Sequence, residues 1–376
     1  MSHASVYIHI PFCKARCKYC AFVSSTDFSL MRDYVSALSS EIRNVGQGRN
    51  CNFYNDNKII DTVYVGGGTP SCLHRGALSE ILGAVRSVFT VEDGAEITVE
   101  ANPESCTDDF IAEAVSCGVN RISMGLQSAC DETLKNIGRL HNAEGFKSAA
   151  RLVRSYGITN VSSDIILGLP GQSQDEIVRA INLVSEYCDH ISVYALTVEE
   201  GTELFRRGYR PDDDLVADYY ELACRTLNSL GFSRYEVSNF ARCEKESRHN
   251  RKYWRLVPYY GFGAGAHGYD GKRTRYRHTE SVKEYIEGSD IITEALSDID
   301  IYNEYVMLEL RTEKGMDARD FAARVSQEYE REFNKRASVL INRGYLLNEN
   351  GFIKIPPDKM FVMNSVIEEL MLDQTA

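Results

Sequence analysis

Residues 7–22, YIHIPFCKARCKYCAF, decide how this chain is read. Cys13, Cys17 and Cys20 form a C-x3-C-x2-C run that puts three thiolates on one short loop, with no fourth cysteine close behind. Such loops hold iron-sulfur clusters, and a four-iron cubane with three protein ligands keeps one iron open to a small molecule. Two plainer readings stand beside this one: a zinc knuckle with His9 as fourth ligand, or three ordinary intracellular cysteines. Tyr19, directly before Cys20, favours the cluster.

Outward from this loop, short β-rich runs ending in glycine, proline or a polar residue alternate with longer helical stretches, as βα units around a parallel sheet do. The pattern predicts strands over 6–10, 60–65, 96–101, 120–125, 161–167 and 191–196. It predicts helices over 29–45, 76–89, 107–117, 143–156, 173–187 and 212–230, each with apolar residues at helical spacing. Six such units are too few for a complete eight-unit barrel, so the expected fold class is α/β, a partial (β/α)6 TIM-like barrel. Chemistry in parallel barrels sits at the C-terminal strand ends, and the motifs fall there.

Gly66, Gly67 and Gly68, followed by Thr69 and Pro70, come directly after the strand IDTVYV. Successive glycines let backbone groups approach a ligand, although an ordinary βα turn has the same composition. Glu100 in ITVEANPE, Gln127 in SMGLQS, Arg139 in IGRLH and Asp164 in SSDIILGLPG each stand at or just past an apolar strand, where a buried polar group needs a partner. That partner is either a ligand or another residue of the barrel mouth. Cys51, Cys72, Cys106, Cys117, Cys130, Cys188, Cys224 and Cys243 show no metal-ligand spacing and are read as idle or buried thiols.

Beyond the strands, His249, Asn250, Tyr253 and Trp254 form an HN-x2-YW run that joins a candidate iron ligand to two large flat rings suited to a macrocycle. GFGAGAHGY follows, with His267 as a second candidate ligand. A histidine among aromatics is more often a hydrogen-bonded structural residue than a ligand. Residues 272–277 make a local basic patch, and the charge-rich 276–297 stretch reads as a linker. From Ile301 onward the pattern gives helix, turn, helix, then a hairpin around residues 348–351, a winged-helix-like α+β module. The division expected is 1–285 for the barrel, including the cluster loop and HN-x2-YW, and 286–376 for the C-terminal module.

With 376 residues there is room for one large and one smaller unit. A net charge of -12 disfavours a broad nucleic-acid-binding face, so the winged module is read as a lid or interaction domain. Eleven cysteines without a signal peptide point to a reducing cytoplasm.

The C-x3-C-x-aromatic-C pattern resembles the radical S-adenosylmethionine (SAM) superfamily, and YIHIPFC resembles its branch of oxygen-independent coproporphyrinogen III oxidases and haem chaperones. The resemblance spans nearly the whole chain. It implies a 4Fe-4S cluster on Cys13, Cys17 and Cys20, with SAM at the open iron. By motif, Tyr7, Gly67, Gly68, Thr69, Glu100, Gln127, Arg139, Asp164 and Ala195 match SAM-contacting positions.

Two functions compete within that branch: an oxidase that decarboxylates two propionates of coproporphyrinogen III, and a chaperone that holds haem and passes it on. The oxidase pattern has a further cysteine where this chain has Phe22, carries a long N-terminal extension that this chain lacks, and is not marked by HN-x2-YW. The chaperone reading is therefore preferred, and a tetrapyrrole methyltransferase is a distant third. The resemblance implies haem as ligand, held through His249, Asn250, Tyr253 and Trp254. It also implies an acceptor protein, an electron donor, no nucleic acid, and transient membrane association through the acceptor.

Overall fold

The computed structural model describes residues 3–45 and 58–373, so Cys51 lies outside the described residues. Six strands lie side by side in parallel: β1 (His3–Ile10), β2 (Ile59–Gly67), β3 (Thr90–Ala101), β4 (Arg121–Gln127), β5 (Asn160–Leu167) and β6 (His190–Ala195). The pleat of β1 explains the layering. Ala4, Val6, Ile8 and Ile10 are fully buried toward the outer helices, while Ser5, Tyr7 and His9 face the other way, into the barrel.

The helices Met31–Val45, Ala77–Val88, Asp108–Ser116, Ala143–Ser155, Gln174–Ser185 and Asp213–Ser229 alternate with and follow these strands, as the sequence predicts. Four of their starts are fixed by side-chain caps: Thr107, Asn142, Ser173 and Asp212 accept from the N–H of Phe110, Gly145, Glu176 and Leu215.

The sheet extends past the six expected strands at both edges. Beyond β6 come β8 (Asn239–Ala241) and then β7 (Ser233–Arg234), both antiparallel to their neighbours. Beyond β1 comes β9 (Tyr259–Phe262), a seventh parallel strand, then β10 (His267–Tyr269), β11 (Thr274–Arg277) and β12 (Ile292–Ala295). The two outer edges do not pair, which leaves an open, partial barrel.

The linker expected over 276–297 is instead structured, as β11, the helix Val282–Glu287 and β12. The basic patch is likewise a strand. Tyr276 is buried, Arg275 makes two 2.7 Å bonds to Glu304 and Arg273 pairs with Asp298, so two of the four cations there are paired within the fold.

The C-terminal module contains the helices Asp298–Glu309, Ala318–Arg324, Gln327–Asn342 and Met363–Leu370. Its small sheet has the order β13 (Met316–Asp317), β15 (Phe352–Lys354), β14 (Leu347–Glu349). A capping box of Ser297 and Asp300 starts its first helix. The module has its own apolar core, centred on Tyr302, Tyr305, Phe321, Phe333 and Leu340, which also takes in Leu256 and Tyr269 from ahead of residue 286. Among the described residues no helix is long and apolar enough to cross a membrane.

Candidate functional site

The cysteine loop leaves β1 at the C-terminal end of the sheet and is held there by backbone bonds. Cys13 N–H donates to Ser25 O (3.0 Å), Lys18 N–H to Ile137 O (2.9 Å), and Leu204 N–H to Lys18 O (3.0 Å). His9 fixes the far side of the loop. Its Nε2 bonds Val23 O at 2.9 Å and its Nδ1 bonds Tyr7 OH at 3.0 Å, so neither ring nitrogen is left for a metal.

Cys13, Cys17 and Cys20 are partly exposed free thiols that line one cavity of about 380 Å³. Among the described residues the one trio of candidate ligands with donor atoms all within 4.8 Å is His3, Asp61 and Glu92, at the opposite end of the barrel. The three sulfurs are therefore spread more widely than the ligands of a single tetrahedral ion, which sit about 3.8 Å apart at a Zn–S length of about 2.3 Å. The three thiols do not form a closed tetrahedral zinc site as they stand.

The glycine loop lies against the same cavity. Gly68 N–H donates to Ile10 O at 2.8 Å, and a Cβ on Gly68 would lie 2.8 Å from that oxygen and 2.9 Å from Phe12 N. Gly67 has φ +111°, and a Cβ there would lie 2.5 Å from the His9 ring. Thr69 Oγ1 is 3.3 Å from Cys13 Sγ. The glycines thus let this loop close onto the cysteine loop, beyond making a turn.

The inward face of the strands is polar along its whole length. Glu100 Oε1 accepts from Tyr64 OH (2.7 Å) and its Oε2 from Gly67 N–H (3.0 Å). Burial raises its carboxyl pKa to about 7 against the lowering effect of these donors, and burial likewise raises that of Asp164. Arg139 Nη2 donates to Asn102 Oδ1 and Gly125 O, both at 2.8 Å, while Nη1 lies 3.8 Å from Cys17 Sγ. Gln127 ends β4 at φ +68°, one of four non-glycine residues with positive φ among those described, where the register with β5 shifts. Its Oε1 is buried with no hydrogen-bond partner among the described residues. Strain at a bulge together with an unused buried acceptor makes Gln127 a candidate ligand contact.

Gly67, Gly68, Thr69, Glu100, Gln127, Arg139, Asp164 and Ala195 all line the cavity with the three cysteines. Tyr7 does not; it stands behind Tyr64, ring centroids 6.2 Å apart. The sequence reading missed Asn102, Arg121, Ser123, Ser162, His190, Ser192 and Tyr194, which line the same space. Their signal was present as period-2 polar residues, 121-123, 162-164 and 190-192-194, inside strands.

The HN-x2-YW run, read above as one haem-binding group, is divided by the helix Arg248–Trp254. Asn250 faces the cavity. His249 is 1% exposed, its Nδ1 2.9 Å from Thr62 Oγ1 and its Nε2 2.9 Å from Tyr253 OH. Burial lowers its pKa to about 3, with the charges of Lys252 and Arg121 adding to the effect. In this conformation it offers no lone pair to iron. Tyr253 packs edge-on against His249 and Tyr259, and Trp254 lines a separate cavity with Glu236, Arg251 and Glu309. His267, by contrast, is exposed on β10, opposite Arg277.

The radical SAM superfamily matches residues 7–184, and the HemN C-terminal domain matches residues 296–361. The chain is 36% identical over 365 residues to the heme chaperone HemW of Mycobacterium tuberculosis, covering 91% of this chain and 92% of the relative. It is 32% identical over 380 residues to the heme chaperone HemW of Lactococcus lactis, covering 98% and 97%. Among solved structures it resembles coproporphyrinogen III oxidase (HemN) from Escherichia coli, described as a radical SAM enzyme. The TM-score is 0.84 at 20% identity over 100% of this chain and 91% of the other, a likeness of fold.

Proposed function

Since the chain belongs to the HemW family of radical SAM proteins, we propose that it is a haem chaperone, which carries a 4Fe-4S cluster and SAM, binds haem and passes it to an acceptor protein. One observation carries the reading. Three free thiols, a glycine loop closed onto them and four convergent polar side chains share a single cavity, in a chain aligned with HemW proteins over 91% or more of its length.

Cys13, Cys17 and Cys20 would hold the cluster, which supplies one-electron reducing chemistry at its open iron. The chain's own residues bind and orient. Gly67, Gly68 and Thr69 would present backbone to the methionine part of SAM, Glu100 and Asp164 would meet its hydroxyls or ammonium, and Ala195 would lie toward its adenine. Gln127 offers its unused acceptor. Arg139, tied to Asn102 and Gly125, sets a fixed positive charge beside Cys17. Tyr7 supports this site through Tyr64 and His9.

The reading predicts a pH dependence. Glu100 ionises as pH rises through its value of about 7, so SAM should bind several-fold tighter at about pH 8 than at about pH 6. Glu100→Gln should flatten the profile. A pH-independent affinity in the wild type would detach Glu100 from the cofactor.

For haem, Phe22 is 67% exposed at the cavity mouth, a flat apolar surface on which a macrocycle can lie. His267 is the histidine of the two candidates that can reach iron, and His249 packs the wall behind Asn250. In a haem titration, His267→Ala should shift the Soret band. His249→Ala should leave the band in place and cost about 1–3 kcal/mol of stability, because Thr62 and Tyr253 lose their partner. A band that follows His249 and ignores His267 would reverse the assignment and require the helix Arg248–Trp254 to rearrange on binding.

The fold likeness to coproporphyrinogen III oxidase speaks to architecture alone. Ten free thiols among the described residues suit a reducing compartment, and we place the chain in the cytoplasm. Its further partners there are an electron donor and the acceptor, with membrane contact through the acceptor alone.

A further inference from the structure

The lower half of the cavity is built from residues that the cysteine loop and the proposed cofactor site do not use. Down the inward face of β4 run Gln127 and Gly125 at the cluster end, Ser123 below them, and Arg121 at the bottom. Four residue steps lead from Arg121 to Gly125, about 13 Å at ~3.3 Å per residue. Ser162 pairs with Ser123 across the sheet, His190 pairs with Ser162, and Asn250 enters from its helix; all line the cavity.

Arg121 is 2% exposed, and its Nε has no hydrogen-bond partner among the described residues. Its charge reaches Glu100 and Asp164 and favours their ionised forms against burial, while the paired acceptors nearby are held by other donors. Both Glu100 oxygens accept from Tyr64 and Gly67, and the His190 ring bonds Ser162 Oγ and Tyr235 OH, each at 2.7 Å. Asn250 bonds Ser247 Oγ through its backbone N–H and turns its side chain toward the cavity. A buried guanidinium with an unused donor is costly, and a planar carboxylate can fit the guanidinium fork with two parallel bonds.

We infer that Arg121 and Asn250 form a carboxylate-binding site on the barrel floor, separate from the cluster end, for an aliphatic carboxylate borne by a small free acid or by an arm of a larger ligand. Glu100 and Asp164 in the same cavity select for a singly charged group, since a phosphate dianion would meet twice the repulsion. The inference rests on the reading above only in placing SAM at the upper end.

The test uses protein reconstituted anaerobically with its cluster and saturated with SAM, and follows 1-13C-propionate by NMR. The wild type should bind propionate at millimolar concentration. Arg121→Gln should weaken that binding at least tenfold, Arg121→Lys should be intermediate, and iron content and SAM affinity, measured at about pH 8 so that Glu100 stays ionised, should stay within twofold. If haem displaces propionate, the site takes a propionate arm of haem; if both bind together, it takes a free acid; either result supports the site.

The site is ruled out if the wild type does not bind propionate, or if Arg121→Gln binds it equally well. It is also ruled out if SAM affinity falls as far as propionate affinity, which would give Arg121 to the cofactor. Should Arg121→Gln fail to fold, Asn250→Leu carries the same comparison. Haem uptake, read separately by absorbance, tells a failure of this site from a failure of the chaperone reading.

Discussion

Replacing any one of Cys13, Cys17 and Cys20 with Ala should drop iron after anaerobic reconstitution from about four atoms per chain to below about one, because two thiolates do not retain a cubane. All three residues are only partly buried and stand outside the three apolar clusters, so the loss should come without unfolding. The far-ultraviolet circular dichroism of each variant should match the wild type. The three substitutions should also be equivalent, since each removes one of three ligands and Cys72, which interacts with Cys13, stands on the glycine loop and not on the cysteine loop. Cys72 is the nearest spare thiol, half-buried by the glycine loop, and Cys72→Ala should leave the iron count unchanged. Full cluster occupancy in the three variants would remove the cluster from this cavity.

The second large effect belongs to Gly67. A valine there must hold φ near +111°, a region closed to β-branched residues, while its Cβ falls 2.5 Å from the His9 ring. His9 cannot yield freely, because its nitrogens hold Tyr7 OH and the Val23 carbonyl of the cysteine loop. Gly67→Val should therefore push the two loops apart, weaken SAM binding at least about tenfold, which is about 1.4 kcal/mol, and lower the melting temperature. Gly76→Val makes the comparison sharp. Gly76 also has positive φ, +89°, but a Cβ there meets nothing within 4 Å, so it carries the strain without the collision. Calorimetry on both reconstituted variants separates the two causes. Equal SAM affinity in Gly67→Val and the wild type would return the loop to an ordinary βα turn.

What the sequence revealed and what it hid follow from the range of the interactions involved. The six parallel strands were legible because their outward residues are continuous apolar runs, and the helices because their caps and 3.6-residue periods are local. The edge strands β7 to β12 were not, since they are two to four residues long and all but β8 carry glycine or charge, as in TRYR. They become strands by pairing with a sheet already formed. The cysteines and the glycine loop were legible as spacings within a few residues.

The polar floor was hidden for a different reason. An arginine opening a strand looks the same whether it faces water or, like Arg121, the inside of a barrel. His249 shows the same limit, because the partner that occupies its Nδ1, Thr62, lies 187 residues away in sequence. Spacing among His249, Asn250, Tyr253 and Trp254 could not reveal that only Asn250 faces the cavity.

The central claim is that a radical SAM barrel here serves to carry haem. The most direct test reconstitutes the cluster anaerobically, adds SAM and a reductant, and runs haem binding and coproporphyrinogen III consumption side by side on one preparation. The proposal predicts uptake of about one haem per chain, release of that haem to an apo-acceptor, and no consumption of coproporphyrinogen III. Sustained, SAM-dependent conversion of coproporphyrinogen III without stoichiometric haem uptake would contradict it.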